Sequence, residues 1–178
     1  MGPSGSGTTT LAKELSKKLK FSQEDTDNMF WEQTDPPFSV QRNIEDLHNL
    51  FYDFTSQDQF ILSGDVLNWG IPKDALLKSF THIIYLYTPW GIREKRIRDR
   101  ENKRFGNRIK PGGDMYQTHE DFIQWASKYE LDRQVGRNKP SQKNFIKHFL
   151  KKSKNILEIE KDINLKAVLE KSLKFLNS

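Results

Sequence analysis

Hydrophobic positions early in the chain fall at helical spacing. Leu11, Leu15 and Leu19 stand four apart with Lys and Glu between them, which predicts an amphipathic helix over residues 8–20. Residues 39–56 repeat the pattern through Ile44, Leu47, Leu50, Phe51 and Phe54 and predict a second helix. Before it, "TDPPF" must be extended or turning, because Pro restricts the residue ahead of it. "KFSQEDTDN" offers a short strand and then a turn, whereas "QFILSGD" and "THIIYLYTP" are apolar runs closed by Gly and Pro and suit buried strands. "WGIREKRIRDRENKRFGNR" predicts a helix up to Gly106, and "IKPGGDMY" a loop. Helices are expected at 117–132 and 140–152, then a strand "NILEIE" and a last helix through Leu165, Val168, Leu169, Leu173 and Leu176. Strands alternating with helices indicate an α/β three-layer domain built on a parallel sheet. Ligands in such sheets bind beyond the carboxyl ends of the strands, where "SGD", "TP" and the glycine-rich start of the chain would gather.

The 178 residues suit a single domain, 1–178. Hydrophobic residues make up only 35% and charged residues 30%, but twelve Phe, four Trp and five Tyr supply material for a core. No apolar run approaches the roughly 20 residues that span a bilayer, and no signal peptide is visible, so a cytoplasmic protein without a membrane partner is expected. With no cysteine, disulfides and thiolate metal sites are excluded, and the four histidines show no metal-ligand spacing. The net charge of +5 is uneven, since residues 137–178 hold 11 Lys+Arg against 4 Asp+Glu. These lysines alternate with apolar helical positions and have no aromatic platform among them, so they read as a solvated face and nucleic acid is not the expected partner.

"MGPSGSGTTTLAKEL" approximates the phosphate-binding loop G-x-x-x-x-G-K-[ST]. Gly2, Gly7 and Thr9 match, Gly5 adds a third glycine, and Thr8 stands where the lysine would be. Glycines let backbone N–H groups turn around anionic oxygens, the helix behind presents its positive end, and the hydroxyl after the lysine position ligates Mg²⁺. The nucleotide-binding set is therefore Gly2, Ser4, Gly5, Ser6, Gly7, Thr8, Thr9 and Thr10, with Thr9 toward the metal. Thr8 offers a neutral hydroxyl for a cation, and neutral hydrogen bonds are about half as strong as charge-assisted ones, so another cation is needed for full affinity. Met1-Gly2 with Ser6 also fits the N-myristoylation pattern, against which Pro3 and the fuller loop match count.

Together with "DTDNMFW", "TDPPF", "LSGDVLNWG", "REKRIRDRENKRFGNRI" and "PGGDMYQTHEDFIQWASKYE", the loop resembles the adenylate kinase and shikimate kinase branch of P-loop kinases, in particular a bacterial group of kinase-like ATPases whose loop reads GSGTTT. The resemblance runs over nearly the whole chain. It implies a P-loop NTPase fold with sheet order 2-3-1-4-5, an arginine-bearing lid at about 101–135, ATP and Mg²⁺ as cofactors, and transfer of the γ-phosphate to a small acceptor by a monomer or homodimer. Strand 2 would end near Asp25, strand 3 at Ser63, strand 4 at Thr88 and strand 5 near Glu160. Strand 1, which precedes the loop in such folds, is absent, and a natural start about six to ten residues earlier is expected from ordinary strand length.

Arg96, Arg100 and Arg104 share one helix face, with Arg93 beside them and Arg108 beyond Gly106. An anion between them would offset their repulsion, while Glu94, Asp99 and Glu101 equally allow a salt-bridged surface helix. The resemblance assigns Arg96 to adenine, Arg100 to phosphate, and Arg104 and Arg108 to the lid. It makes Asp25 a metal ligand through water and Asp27 the residue orienting the acceptor, and the alternative for both is a hydrated turn. Gly64 and Asp65 would line the acceptor pocket, Trp31 and Trp69 would wall it or pack in the core, and Arg42 would grip an acidic acceptor or lie on a helix surface. Arg133 or Arg137 would add a phosphate contact.

Overall fold

The computed structural model describes residues 1–131, 136–152, 155–160 and 164–177. Its elements are α1 (Thr8–Leu19), β1 (Ser22–Asp25), α2 (Thr26–Phe30), α3 (Ile44–Thr55), β2 (Phe60–Ser63), α4 (Lys73–Ser79), β3 (Ile83–Leu86), α5 (Trp90–Phe105), a 3-10 turn (Gly106–Ile109), α6 (Tyr116–Ser127), α7 (Lys139–Leu150), β4 (Ile156–Ile159) and α8 (Leu165–Leu176).

Four-residue strands pair in parallel, β1 with β2 from Ser22↔Phe60 to Asp25↔Ser63, and β3 with β4 from Ile83↔Ile156 to Leu86↔Ile159. Alternation along β3 separates two layers of core. Ile83 and Tyr85 join Leu47 and Phe51 of α3, Leu76 and Leu77 of α4 and Phe145, Ile146 and Phe149 of α7. Leu86 and the partly buried Ile84 face the other way, onto Leu11 and Leu15 of α1 and Val168 of α8. Helices therefore cover both faces of the parallel strands, as the burial of β3 on both of its faces requires.

Among the described residues the strands form two separate pairs. Among the described residues no hydrogen bond joins β2 to β3, and a cavity of about 210 Å³ lies between them, lined by Ile61 and Leu62 on one side and Ile84 and Leu86 on the other. Met1 sits at its end and pairs with β3 as a strand residue would: its amino group donates to the Ile84 carbonyl at 2.7 Å, and Leu86 N–H donates to the Met1 carbonyl at 2.9 Å. Burial pulls the pKa of that amino group down to about 6.

Other boundaries follow local capping. α3 begins at Ile44, not at residue 39, because Asn43 accepts the Asp46 N–H at 2.9 Å as N-cap while residues 40–42 pair back onto 30–32. The expected turn at "DTDN" is the short helix α2, capped by Asp25. α6 stops at Ser127, short of residue 132, and α7 starts at Lys139 behind the Asn138 cap. α4 was not legible, since seven residues with two buried leucines hold less than two turns of periodicity. β3 ends at Leu86, two residues before Thr88.

Candidate functional site

Gly5 and Gly7 adopt φ of 83° and 95°, conformations that side-chain-bearing residues rarely take. At Gly5 the space is closed as well, because a Cβ would lie 2.9 Å from the Arg93 carbonyl on α5. The chain turns tightly, Ser6 N–H donating to the Pro3 carbonyl at 3.1 Å, and enters α1 at Gly7, which provides no side-chain cap. No acidic residue occupies the first turn of α1. Its amide groups are thus presented to an anion. Ser6 Oγ is buried in the loop without a hydrogen-bond partner among the described residues. An uncapped helix end and an orphaned hydroxyl in one loop fit a phosphate chain.

Next to the loop is a floor of hydroxyls and carboxylates from the ends of β1 and β2. Thr9 donates to Asp25 Oδ2 at 2.6 Å, and Ser63 donates to the same oxygen at 2.8 Å. Asp25 Oδ1 accepts the Asp27 N–H at 3.0 Å. The two residues assigned to a metal, Thr9 and Asp25, are therefore in direct contact. No group of three or more His, Asp or Glu among the described residues could hold a metal by itself. Mg²⁺ needs none, since one or two carboxylates with substrate phosphates usually suffice. The carboxyl of Asp27 keeps 57% of its side-chain surface open but is ringed by protein. Loss of hydration raises its pKa, opposed by Arg137, reinforced by Asp25 and opposed again by Arg100. Arg100 thus lies close enough to Asp27 to act on it.

The other residues expected at the acceptor pocket are held by contacts within the protein. A Cβ on Gly64 would meet Thr26 Oγ1 at 1.7 Å, so the packing of Thr26 by itself requires glycine there. Asp65 is buried, accepts the Leu67 N–H at 2.8 Å and is held by the amide of Gln142; its own N–H donates to Thr26 Oγ1 at 3.1 Å. Gln142 in turn accepts from Tyr129 at 2.7 Å, and Tyr129 OH contacts Tyr85 OH at 3.1 Å, so Asp65 anchors a buried network. Arg42 is committed to the carbonyl of Met29 at 2.8 Å and to Glu32 at 3.0 Å, where it staples the Trp31–Gln41 bridge. Trp69 packs in the core against Phe30 and Phe51, while Trp31 meets Phe30 and Phe38 edge-on.

The arginines of α5 divide by face. Arg93, Ile97 and Glu101 form the buried stripe, and Arg96 and Arg100 beside it are exposed. Arg93 is fully buried and donates to the carbonyls of Thr88 at 2.8 Å, Ser4 at 3.3 Å and Ala126 at 3.3 Å and to Glu130 at 2.8 Å. It belongs to the packing and not to the exposed cluster in which spacing placed it. Arg100 pairs with Glu101 at 2.8 Å, Arg104 lies over the rings of Phe38 and Phe105, and Arg108 is held by Asp114 at 2.6 Å and Asp35 at 2.7 Å. Of the α5 arginines, Arg93 touches the loop at Ser4 and Arg100 acts on Asp27. Arg137 approaches from the start of α7, with Nη1 3.4 Å from Ser4 Oγ and Nη2 3.5 Å from Asp27. Arg133 and the end of the expected lid, 132–135, lie outside the described residues. Sequence reasoning missed Ser63 and Thr26; a hydroxyl at each strand end, beside the acidic turn, was the available signal.

A family model described as AAA domain matches residues 1–110. "Uncharacterized protein YqaC" of Bacillus subtilis (strain 168) is 34% identical over 179 residues, covering 100% of this chain and 96% of that protein. Among solved structures, a gluconokinase from Sinorhizobium meliloti 1021 aligns with a TM-score of 0.50 at 12% identity, over 99% of this chain and 89% of that one. The last likeness speaks for the fold: helices and parallel strands of the P-loop kinase type. No helix among the described residues is long and apolar enough to cross a membrane. With its glycine loop opening an uncapped helix beside Thr9 and Asp25, the chain belongs to the AAA domain family.

Proposed function

We propose that the protein is an ATP-dependent phosphotransferase acting on a small hydroxyl- or phosphate-bearing acceptor. The observation that carries the reading is the Thr9–Asp25 contact of 2.6 Å directly beside the uncapped start of α1. ATP supplies the γ-phosphoryl group, and Mg²⁺ would be held by Thr9 and, through water, by Asp25. The loop amides and Ser6 bind the phosphates, and Arg100 opposes negative charge near Asp27. Asp27 orients the acceptor hydroxyl; its raised pKa makes it a better proton acceptor than an ordinary carboxylate. Arg96 toward adenine and Arg104 and Arg108 in a closing lid complete the reading. The test is acceptor-dependent ADP release across nucleoside monophosphates and small hydroxy acids, gluconate among them. Turnover with one acceptor class is expected; ATP binding with no turnover on any of them would favour a nucleotide-binding protein without transfer activity, the reading that Thr8 at the lysine position supports.

The same proposal takes the strand order as 2-3-1-4-5, with the space between β2 and β3 as the place of a central strand leading into the loop. The ladder contacts of Met1 with Ile84 and Leu86 support it. Fusing a strand-length apolar segment to Met1 should raise the thermal midpoint and tighten ATP binding; an unchanged midpoint would count against this order.

A further inference from the structure

Thr8 leaves the loop without its usual cation. A helix N-terminus contributes only about 0.3–2 kcal/mol toward an anion, so the outer phosphates of a nucleotide require a charged side chain from elsewhere. Two guanidinium groups reach the loop at Ser4, and their bonding differs. Arg93 uses its donors on three carbonyls and a carboxylate at 2.8–3.3 Å and is fully buried. Among the described residues Arg137 makes two hydrogen-bond contacts, both at the outer edge of hydrogen bonding: 3.4 Å to Ser4 Oγ and 3.5 Å to Asp27. Its Nε is buried without a hydrogen-bond partner among the described residues, and only 15% of its side chain is exposed.

A guanidinium carries five N–H donors in a planar fork suited to phosphate oxygens. Arg137 is held at the loop by groups that leave those donors under-used, between the hydroxyl of Ser4 and the carboxylate of Asp27. Asn138, capping α7 through Ser141 N–H at 2.8 Å, fixes the backbone just behind it. From this position the charge also reaches Asp27, where it opposes the rise in pKa caused by lost hydration, and the Met1 amino group, where it adds to the lowering caused by burial.

Resting on the nucleotide site proposed above, we infer that Arg137 is the outer-phosphate cation of this loop, supplied from the start of α7 in place of the lysine that Thr8 replaces. The distance from residue 8 to residue 137 in sequence explains why no loop motif signals it.

Calorimetric titration of the full chain with MgATP tests this through four proteins: wild type, Arg137→Gln, Thr8→Lys and the double variant, each checked for an unchanged thermal midpoint. Arg137→Gln keeps a polar side chain of moderate length and should weaken MgATP binding about 10- to 100-fold, the range for losing a hydrogen bond to a charged group. Thr8→Lys should restore most of that loss in the Arg137→Gln background, because a lysine in the loop supplies the missing charge; a residue that merely held Asp27 or α7 in place would not be rescued from position 8. Wild-type affinity in Arg137→Gln, or a weakened variant that Lys at position 8 fails to improve, would overturn the assignment. Absence of MgATP binding by wild type would instead overturn the nucleotide site itself, and this assignment with it.

Discussion

The floor beside the glycine loop and the helix α5 both carry charged and polar side chains, and they behave differently. On the floor, Thr9, Asp25, Asp27 and Ser63 come from four elements and meet within 3.0 Å, through Asp25. On α5, the arginines are spaced for one face but serve separate purposes: Arg93 is buried against Ser4 and Glu130, Arg100 pairs with Glu101, and Arg104 covers Phe38. The difference lies in what anchors each group. Strand ends and a glycine turn place short side chains by backbone geometry, which leaves few alternatives. Long arginine side chains on a helix choose among many nearby carboxylates and rings, so spacing alone does not determine their partners.

The largest effect that would sharpen this contrast is expected at Arg93. Removing the buried guanidinium in Arg93→Met leaves Glu130 and three carbonyls without their donor, and should cost about 3–5 kcal/mol in denaturant titration, the range for breaking a buried pair. A loss below about 1 kcal/mol would show that α5 is joined to the loop by apolar packing instead.

A smaller energy, but one that reads the chemistry, belongs to Thr9. Thr9→Ala should lower magnesium-dependent turnover about 100-fold, equivalent to about 2.7 kcal/mol, while the thermal midpoint moves little because a single hydrogen bond to Asp25 is lost. Unchanged turnover would detach the floor from the reaction and leave the arginine helix as the better candidate.

The smallest effect concerns pH. Ionisation of Asp27 is disfavoured in the folded protein, since its pKa is raised above the ordinary carboxylate value by loss of hydration. Its contribution to stability is therefore full below that ordinary value and is lost as pH rises through the raised one. Asp27→Asn should be slightly more stable than wild type at neutral pH and equal to it in acid, as followed by thermal midpoints across pH 3–8. The reverse order at neutral pH would mean that pairing with Arg137 outweighs the lost hydration.

Much of this arrangement was legible beforehand where periodicity or a backbone requirement was at work. The leucines of α1 and α8, the apolar runs of β2 and β3 and the glycines of the loop state their structure locally, and Asp25 beside Thr9 followed from motif and resemblance. The partners of Arg42, Gly64 and Asp65, namely Met29, Thr26 and Gln142, were not legible, because they are set by packing between elements.

By itself, then, the order of residues determined the longer helices and the strands, though not α2 or α4, and a glycine turn leading into α1, since these depend on interactions within a few residues. Tertiary structure alone decided which charges meet: that Arg93 is enclosed, that Arg137 reaches Ser4 and Asp27, and that β2 and β3 stand apart. Electrostatic partners are selected by distance in space among many similar residues, and sequence separation carries no information about that distance.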